Sequence, residues 1–265
     1  MCILPILKSF VNKFLQIFYK FFNFILNLFL ITVFIRQTRK NLVYFFYFGA
    51  ILSCGGIMDF QQSKTKENLA RSFASECMEG ARYQFLAKMS QQQGYVYLSN
   101  LLRTLAHNEM SHAQQFFNKI NEHGGQETQN IEIKAGYPFK QGADICETLK
   151  LEAHNEEMSA ESIYPTFADI ARDEGFKDVA ELFDMVAKVE KTHQRTLEKL
   201  HEGLKCNCLY KCNCGEACFK CDECGTIIEG KQAPKTCPLC KMEQGYYRID
   251  FSLIGNGKHR TKPNQ

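Results

Sequence analysis

Two four-residue words constrain this chain most: Glu109-Met110-Ser111-His112 and Glu190-Lys191-Thr192-His193. Both read Glu-x-x-His. Residues three apart on a helix share a face, one turn along. Each word therefore aims a carboxylate and an imidazole together at whatever its helix covers. One such word is common on a solvated face. Two of them, each inside a long apolar helical pattern, point to a shared interior.

The surrounding chain supplies four helices. From Lys64, residues Leu69, Phe73, Glu76, Ala81, Tyr83 and Leu86 recur at helical spacing, with Ser63 as N-cap and Gly94 as the stop. A second helix spans 96 to about 122, with Leu98, Leu101, Leu102, Leu105, Glu109, His112, Phe116 and Ile120 inward. Residues 124–143 are polar, with one extended piece, Ile131-Glu132-Ile133, and a connection that long implies a crossover. A third helix runs from about 143 to 172, with the stripe Ile145, Leu149, Glu152, Glu156, Ser159, Ile163, Phe167, Ile170. Pro165 inside it predicts a kink or local bulge. A fourth helix covers 177 to about 202. The expected fold class is mainly α, a four-helix bundle with short, long and short connections.

Glu76 and Glu156 interrupt the apolar stripes of the first and third helices. A buried carboxylate is costly unless it is neutralised or ligated. Glu76, Glu109, His112, Glu156, Glu190 and His193 therefore read as one set around two cations. One glutamate from each of two helices, with Glu-x-x-His from each of the other two, is the ligand plan of di-iron carboxylate bundles. Carboxylate with imidazole suits iron or manganese.

The stretches Phe73-Ala74-Ser75-Glu76, Ala81-Arg82-Tyr83, Glu109–His112, Ile163-Tyr164-Pro165-Thr166-Phe167-Ala168 and Asp173-Glu174-Gly175-Phe176 resemble the rubrerythrins. The likeness covers 58 to about 249. It implies a ferritin-like bundle at 58–204, with two irons on those six residues. It also implies that Tyr83 and Tyr164 hydrogen-bond the ligands; either tyrosine is then the candidate catalytic proton donor. Read from the residues alone, either tyrosine is equally an amphipathic core residue. The family further carries a glutamate one turn after the position of Glu156, which lets one iron exchange carboxylate for histidine with redox state. Here Ser159 stands at that position. Glu152, Glu157 or Glu161 would take that role if the helix bulges.

Nine of the 13 cysteines lie between Cys206 and Cys240. Their spacing, in a chain otherwise poor in thiols, argues for metal ligation in a reducing compartment. Cys221-x-x-Cys224 and Cys237-x-x-Cys240 form two knuckles for a tetrahedral four-thiolate site. Gly225 suits the positive φ after the first knuckle; Lys241 stands where glycine is expected after the second. Four thiolates take zinc or iron alike. The resemblance implies a small rubredoxin-like domain at 220–250 that holds one iron, zinc being the alternative. Cys206, Cys208, Cys212, Cys214 and Cys218 lie outside that pattern, mostly in a linker at 205–219. They are redox-active thiols or a second metal site, and the linker reading is preferred.

The formal charge of +3 hides an asymmetry. Residues 1–57 hold six basic and no acidic residues, leaving 26 basic against 29 acidic in the rest, which gives no nucleic-acid footprint. The apolar runs at 21–35 and 42–52 fall short of the roughly 20 residues of a spanning helix. Two readings of this extension stand: a membrane anchor, or AT-rich untranslated sequence before a start at Met58, which is preferred. Residues 251–265 are a polar tail.

The reading of the whole is a peroxidase-type oxidoreductase. It reduces hydrogen peroxide to water in the cytoplasm, or at a membrane if 1–57 is expressed. The donor is a small electron-transfer protein or an NAD(P)H-dependent reductase, and the resemblance implies a homodimer. The alternatives are a ferroxidase or iron-handling protein, and a metal-binding module with a structural zinc ribbon.

Overall fold

The computed structural model describes residues 58–249, apart from 128–129, 213–214 and 216. The expectations for 1–57 and 251–265 lie outside the described residues. Five α-helical segments build the first part: α1 (Lys64–Gln92), α2 (Val96–Gly124), α3 (Ile145–Met158), α4 (Tyr164–Asp173) and α5 (Lys177–Lys205). Ser63 caps α1 by accepting from the Lys66 amide at 3.1 Å. Glu174 accepts from the amides of Lys64 and Thr65 at 3.0 and 2.9 Å, so a carboxylate answers the positive end of the same helix. Helix α1 packs along α2, and α3 and α4 pack along α5.

The third helix is continuous but interrupted by a π-helical turn at Ser159–Ile163, directly before Pro165. Proline lacks the amide that an α-helix would use there, and the wider turn absorbs the loss. The turn inserts one residue into the helical phase. Beyond it the buried positions are Ala160, Tyr164, Ala168 and Ala171, each one place later than the expected stripe. Ile163 is therefore exposed, and Phe167 and Ile170 are half-buried. On α1, Phe73 also differs from the expected inner face; it lies at the surface against Phe117, ring centroids 5.9 Å apart.

Two apolar clusters fill the bundle. One gathers Leu69, Phe116, Tyr164, Phe176 and Phe183. The other gathers Tyr83, Leu98, Leu102, Leu149 and Leu197. Between them in sequence, on every long helix, falls a buried glutamate: Glu76, Glu109, Glu156 or Glu190. A polar layer thus divides the core, closed by apolar side chains above and below.

The second part is a three-stranded antiparallel sheet in the order β2-β1-β3, with β1 at Ala217–Cys221, β2 at Ile227–Gly230 and β3 at Tyr247–Ile249. Cys221 pairs with Tyr247, which carries β1 to the edge of the thiol cluster. This part rests on the α1–α2 end of the bundle. Asn100 donates to Asp222 at 3.2 Å, Tyr95 stacks on Tyr210, and a Cβ on Gly245 would lie 1.8 Å from the Gly94 carbonyl oxygen. Among the described residues, no helix is long and apolar enough to cross a membrane.

Candidate metal centres

The six expected bundle residues meet. Glu76, Glu109, His112 and Glu190 form one group, and Glu109, Glu156, Glu190 and His193 another, with the donor atoms of each group within 4.8 Å of one another. Glu109 and Glu190 belong to both. Each straddles the two imidazoles. Glu109 sets one oxygen 3.0 Å from His193 Nδ1 and the other 3.0 Å from His112 Nδ1. Glu190 does likewise at 2.8 and 3.1 Å. Glu76 stands beside His112 at 3.2 Å and Glu156 beside His193 at 3.9 Å. The imidazole rings lie nearly parallel, centroids 5.9 Å apart. Two carboxylates shared by both imidazoles, two carboxylates beside one imidazole each, and the imidazoles themselves are thus arranged about an approximate dyad.

The donors fit cations and not one another. Both oxygens of Glu109, both of Glu190, Glu156 Oε2 and His193 Nδ1 are buried without a hydrogen bond, although imidazole nitrogens lie close. Close atoms whose lone pairs converge on a common point, with no proton aligned between them, are what a metal site presents. Without metal, burial raises the Glu76 carboxyl to about 8 and pushes Glu156 well above its ordinary value. Burial works against the charge of Glu190 too, but the imidazoles of His112 and His193, at 3.1 and 2.8 Å, outweigh it and hold the group at about 2. Burial disfavours the charged imidazoles, yet the carboxylates around them raise His112 to about 12 and His193 to about 9. The cluster wants positive charge.

The two tyrosines complete the dyad. Tyr83 on α1 donates to Glu156, and Tyr164 on α4 donates to Glu76. Glu76 and Tyr83 are seven positions apart, Glu156 and Tyr164 eight; the π-turn supplies the extra residue. None of Glu152, Glu157 and Glu161 substitutes at Ser159. Both Glu152 oxygens accept from Arg82 Nε at 3.2 Å, Glu157 pairs with His154, and Glu161 pairs with Lys191.

One buried acid escapes the apolar-stripe reading. Glu79 is 3% exposed and accepts from Arg82 at 3.1 Å. The available signal is its place one turn after Glu76, a Glu-x-x-Glu word on α1. It lines a cavity of about 660 Å³ with Ser72, Ser75, Asn155, Ser159 and Tyr164.

In the tail, the four thiols Cys221, Cys224, Cys237 and Cys240 cluster, with sulfurs of Cys221 and Cys240, and of Cys224 and Cys237, 3.7 Å apart. The Thr226 hydroxyl, 3.1 Å away, holds the Cys224 thiol below its ordinary value. Gly225 and Lys241 both take positive φ, 76° and 64°. The linker cysteines do not gather. Cys206 and Cys208 are bonded to each other, while Cys212 and Cys218 are free, and Cys214 is outside the described residues.

The sequence profile of rubrerythrin matches residues 67–201, and that of its rubredoxin-like domain matches 219–248. The chain belongs to the rubrerythrin family. It is 39% identical over 189 residues to rubrerythrin-1 of Clostridium acetobutylicum, covering 71% of this chain and 94% of that one. It is 36% identical over 187 residues to rubrerythrin of Clostridium perfringens, again 71% of this chain and 94% of that one. Rubrerythrin of Porphyromonas gingivalis is 33% identical over 185 residues, 70% and 89% of the two chains. The fold is thus a ferritin-like bundle with a rubredoxin-like end. Its cofactors are those of a rubrerythrin: a di-iron pair in the bundle and an iron held by four cysteines.

Proposed function

We propose that this rubrerythrin reduces hydrogen peroxide to water in the cytoplasm, protecting against oxidative stress. Each turnover takes one peroxide, two protons and two electrons and yields two waters. The reading rests on one observation above others: Glu109 and Glu190 each set one oxygen toward either histidine, so the chain offers a paired site to a two-atom substrate. When bound, the two irons supply one electron each.

The chain's residues do the rest. Glu109 and Glu190, each beside both imidazoles, would be shared by the two ions; Glu76 with His112 and Glu156 with His193 would hold one each. Four carboxylates would balance the charge of two ferrous ions in this buried core. Phe116, Phe183 and Leu102 exclude bulk water. Tyr83 and Tyr164 hold a proton at Oη, pointed at the terminal carboxylates, and pass it toward the departing oxygen. Burial drives both phenols well above their ordinary value, so they stay protonated at neutral pH. Cys221, Cys224, Cys237 and Cys240 would hold the iron that takes up electrons from a small electron-transfer protein or an NAD(P)H-dependent reductase. The active unit is a homodimer.

Stopped-flow mixing of the fully reduced protein with peroxide and with dioxygen tests this. The expected result is oxidation at least tenfold faster with peroxide, with the rubredoxin-type visible absorption appearing in the same reaction. Faster oxidation by dioxygen would assign the site to iron handling instead. No such absorption would make the tail a zinc module.

A further inference from the structure

The link between the bundle and the tail holds a bonded pair of thiols. Cys206 caps the C-terminus of α5 and is joined to Cys208, two positions on. Asn207 between them takes a φ of 51°, the left-handed turn that commonly ends a helix. The Asn207 amide donates to the Leu204 carbonyl at 3.0 Å and the Cys208 amide to the Gly203 carbonyl at 2.9 Å, so backbone hydrogen bonds already close the turn. Two residues on, Tyr210 stacks on Tyr95 of the bundle, and its carbonyl accepts from the Ala233 amide of the tail at 2.8 Å. The pair therefore sits at the joint between the two metal centres.

A structural role explains this disulfide poorly. A cross-link stabilises a fold mainly by restricting the unfolded chain, and a loop this short restricts it least. Cys206 is exposed and Cys208 half-buried, which leaves the bond open to small thiols. Exposed disulfides are the readily exchanged ones. The pairing is also selective: Cys77, Cys146, Cys212 and Cys218 are free. In the reducing compartment proposed for this chain, a disulfide is usually transient and catalytic, or redox-sensing.

We propose that Cys206 and Cys208 form a reversible dithiol–disulfide couple that exchanges with small thiols. A thiolate of the small thiol attacks one sulfur, and the other leaves as a thiolate and takes a proton from water. A second small thiolate attacks the mixed disulfide and frees the remaining protein sulfur, which is protonated in turn. Two small thiols are thereby oxidised to one disulfide, and the cysteine pair gains two electrons and two protons. No step involves the irons of the bundle, so the couple stands or falls apart from the peroxide reading.

The test equilibrates the full-length, iron-loaded protein in glutathione buffers from mostly reduced to mostly oxidised. Alkylation and peptide mass spectrometry then count free and bonded thiols, with the iron–thiolate absorption recorded alongside. Both forms of the pair are expected within that range, with unchanged absorption. Their ratio of dithiol to disulfide should follow the square of reduced glutathione divided by its disulfide. Cys212→Ser is expected to behave as wild type, and Cys206→Ser to carry glutathione on Cys208 in the oxidised buffers. A pair that stays bonded in every buffer is a structural cross-link and overturns the proposal. So does a pair that never bonds, loss of the bond in Cys212→Ser, or opening only when the tail loses its iron.

Discussion

Tyr164 donates its hydroxyl to Glu76, although 88 positions separate them in the chain. The contact joins α4 to α1 across the cluster, and Tyr83 to Glu156 is its counterpart. Both phenols are fully buried. A buried hydrogen bond to a carboxylate contributes about 1–3 kcal/mol. Tyr164→Phe therefore lowers stability by about that amount, and iron binding survives because neither hydroxyl belongs to the ligand set. If the phenol passes a proton, peroxide turnover falls roughly 10²-fold. Thermal melts with steady-state peroxide consumption check both effects. An unchanged rate with lowered stability would make the tyrosine structural.

Glu109 and Glu76 differ in what they hold together. Glu109 faces both imidazoles, Glu76 one. Glu109→Ala is therefore expected to lose both bundle irons and Glu76→Ala mainly one, while the tail iron remains in each. Metal analysis gives about one iron per chain for Glu109→Ala and about two for Glu76→Ala, against three for wild type. Equal losses in the two variants would remove the bridging role.

Metal removal reverses the pH dependence of stability. In the metal-free fold, Glu76 titrates at about 8 against an ordinary 4.5, and His112 at about 12 against 6.5. Both are raised, so the folded state binds more protons than the unfolded one, and stability falls as pH rises from about 4.5. Glu190, lowered to about 2, contributes in the other direction, with stability lost only as pH falls below 4.5. The metal-free protein is thus most stable near pH 4.5–5 and weakens toward pH 9. Metal ligands bind deprotonated, so the loaded protein gains stability over the same window. Melting temperatures from pH 5 to 9, with and without chelation, are expected to slope oppositely.

Much of this was legible because two different periods agree. The helical period placed Glu76, Glu109, His112, Glu156, Glu190 and His193 inward, and the structure brings all six together. The Cys-x-x-Cys spacing did the same for the thiols. What escaped has local causes. Pro165 signals a bulge but not its width, and a π-turn rather than a simple kink moves the stripe from Ile163 to Tyr164. Glu79 sits between Met78 and Gly80, with no apolar stripe to mark it as buried. Its neutralising Arg82 is three positions away, which on a surface helix is an ordinary ion pair. Phe73 reads as core by helical spacing, yet it lies at the surface beside the exposed Phe117.

Lys241 provides a test of the tail by itself. Its φ of 64° lies in the left-handed region, where a side chain costs about 1–2 kcal/mol and glycine costs none. The backbone is fixed there because the Lys241 amide donates to the Cys237 carbonyl at 3.0 Å, closing the second knuckle. Its ammonium donates to the Pro238 carbonyl at 2.8 Å, an exposed contact of small value. Relief of strain therefore outweighs the lost contact, and Lys241→Gly is expected to stabilise the knuckle by about 1 kcal/mol. That corresponds to roughly fivefold slower thermal bleaching of the iron–thiolate absorption if the knuckle opens before iron leaves. Lys241→Ala keeps the strained backbone and loses the contact, so it bleaches no slower than wild type. Equal bleaching rates for the glycine and alanine variants would mean that iron departs from the Cys221–Cys224 side first.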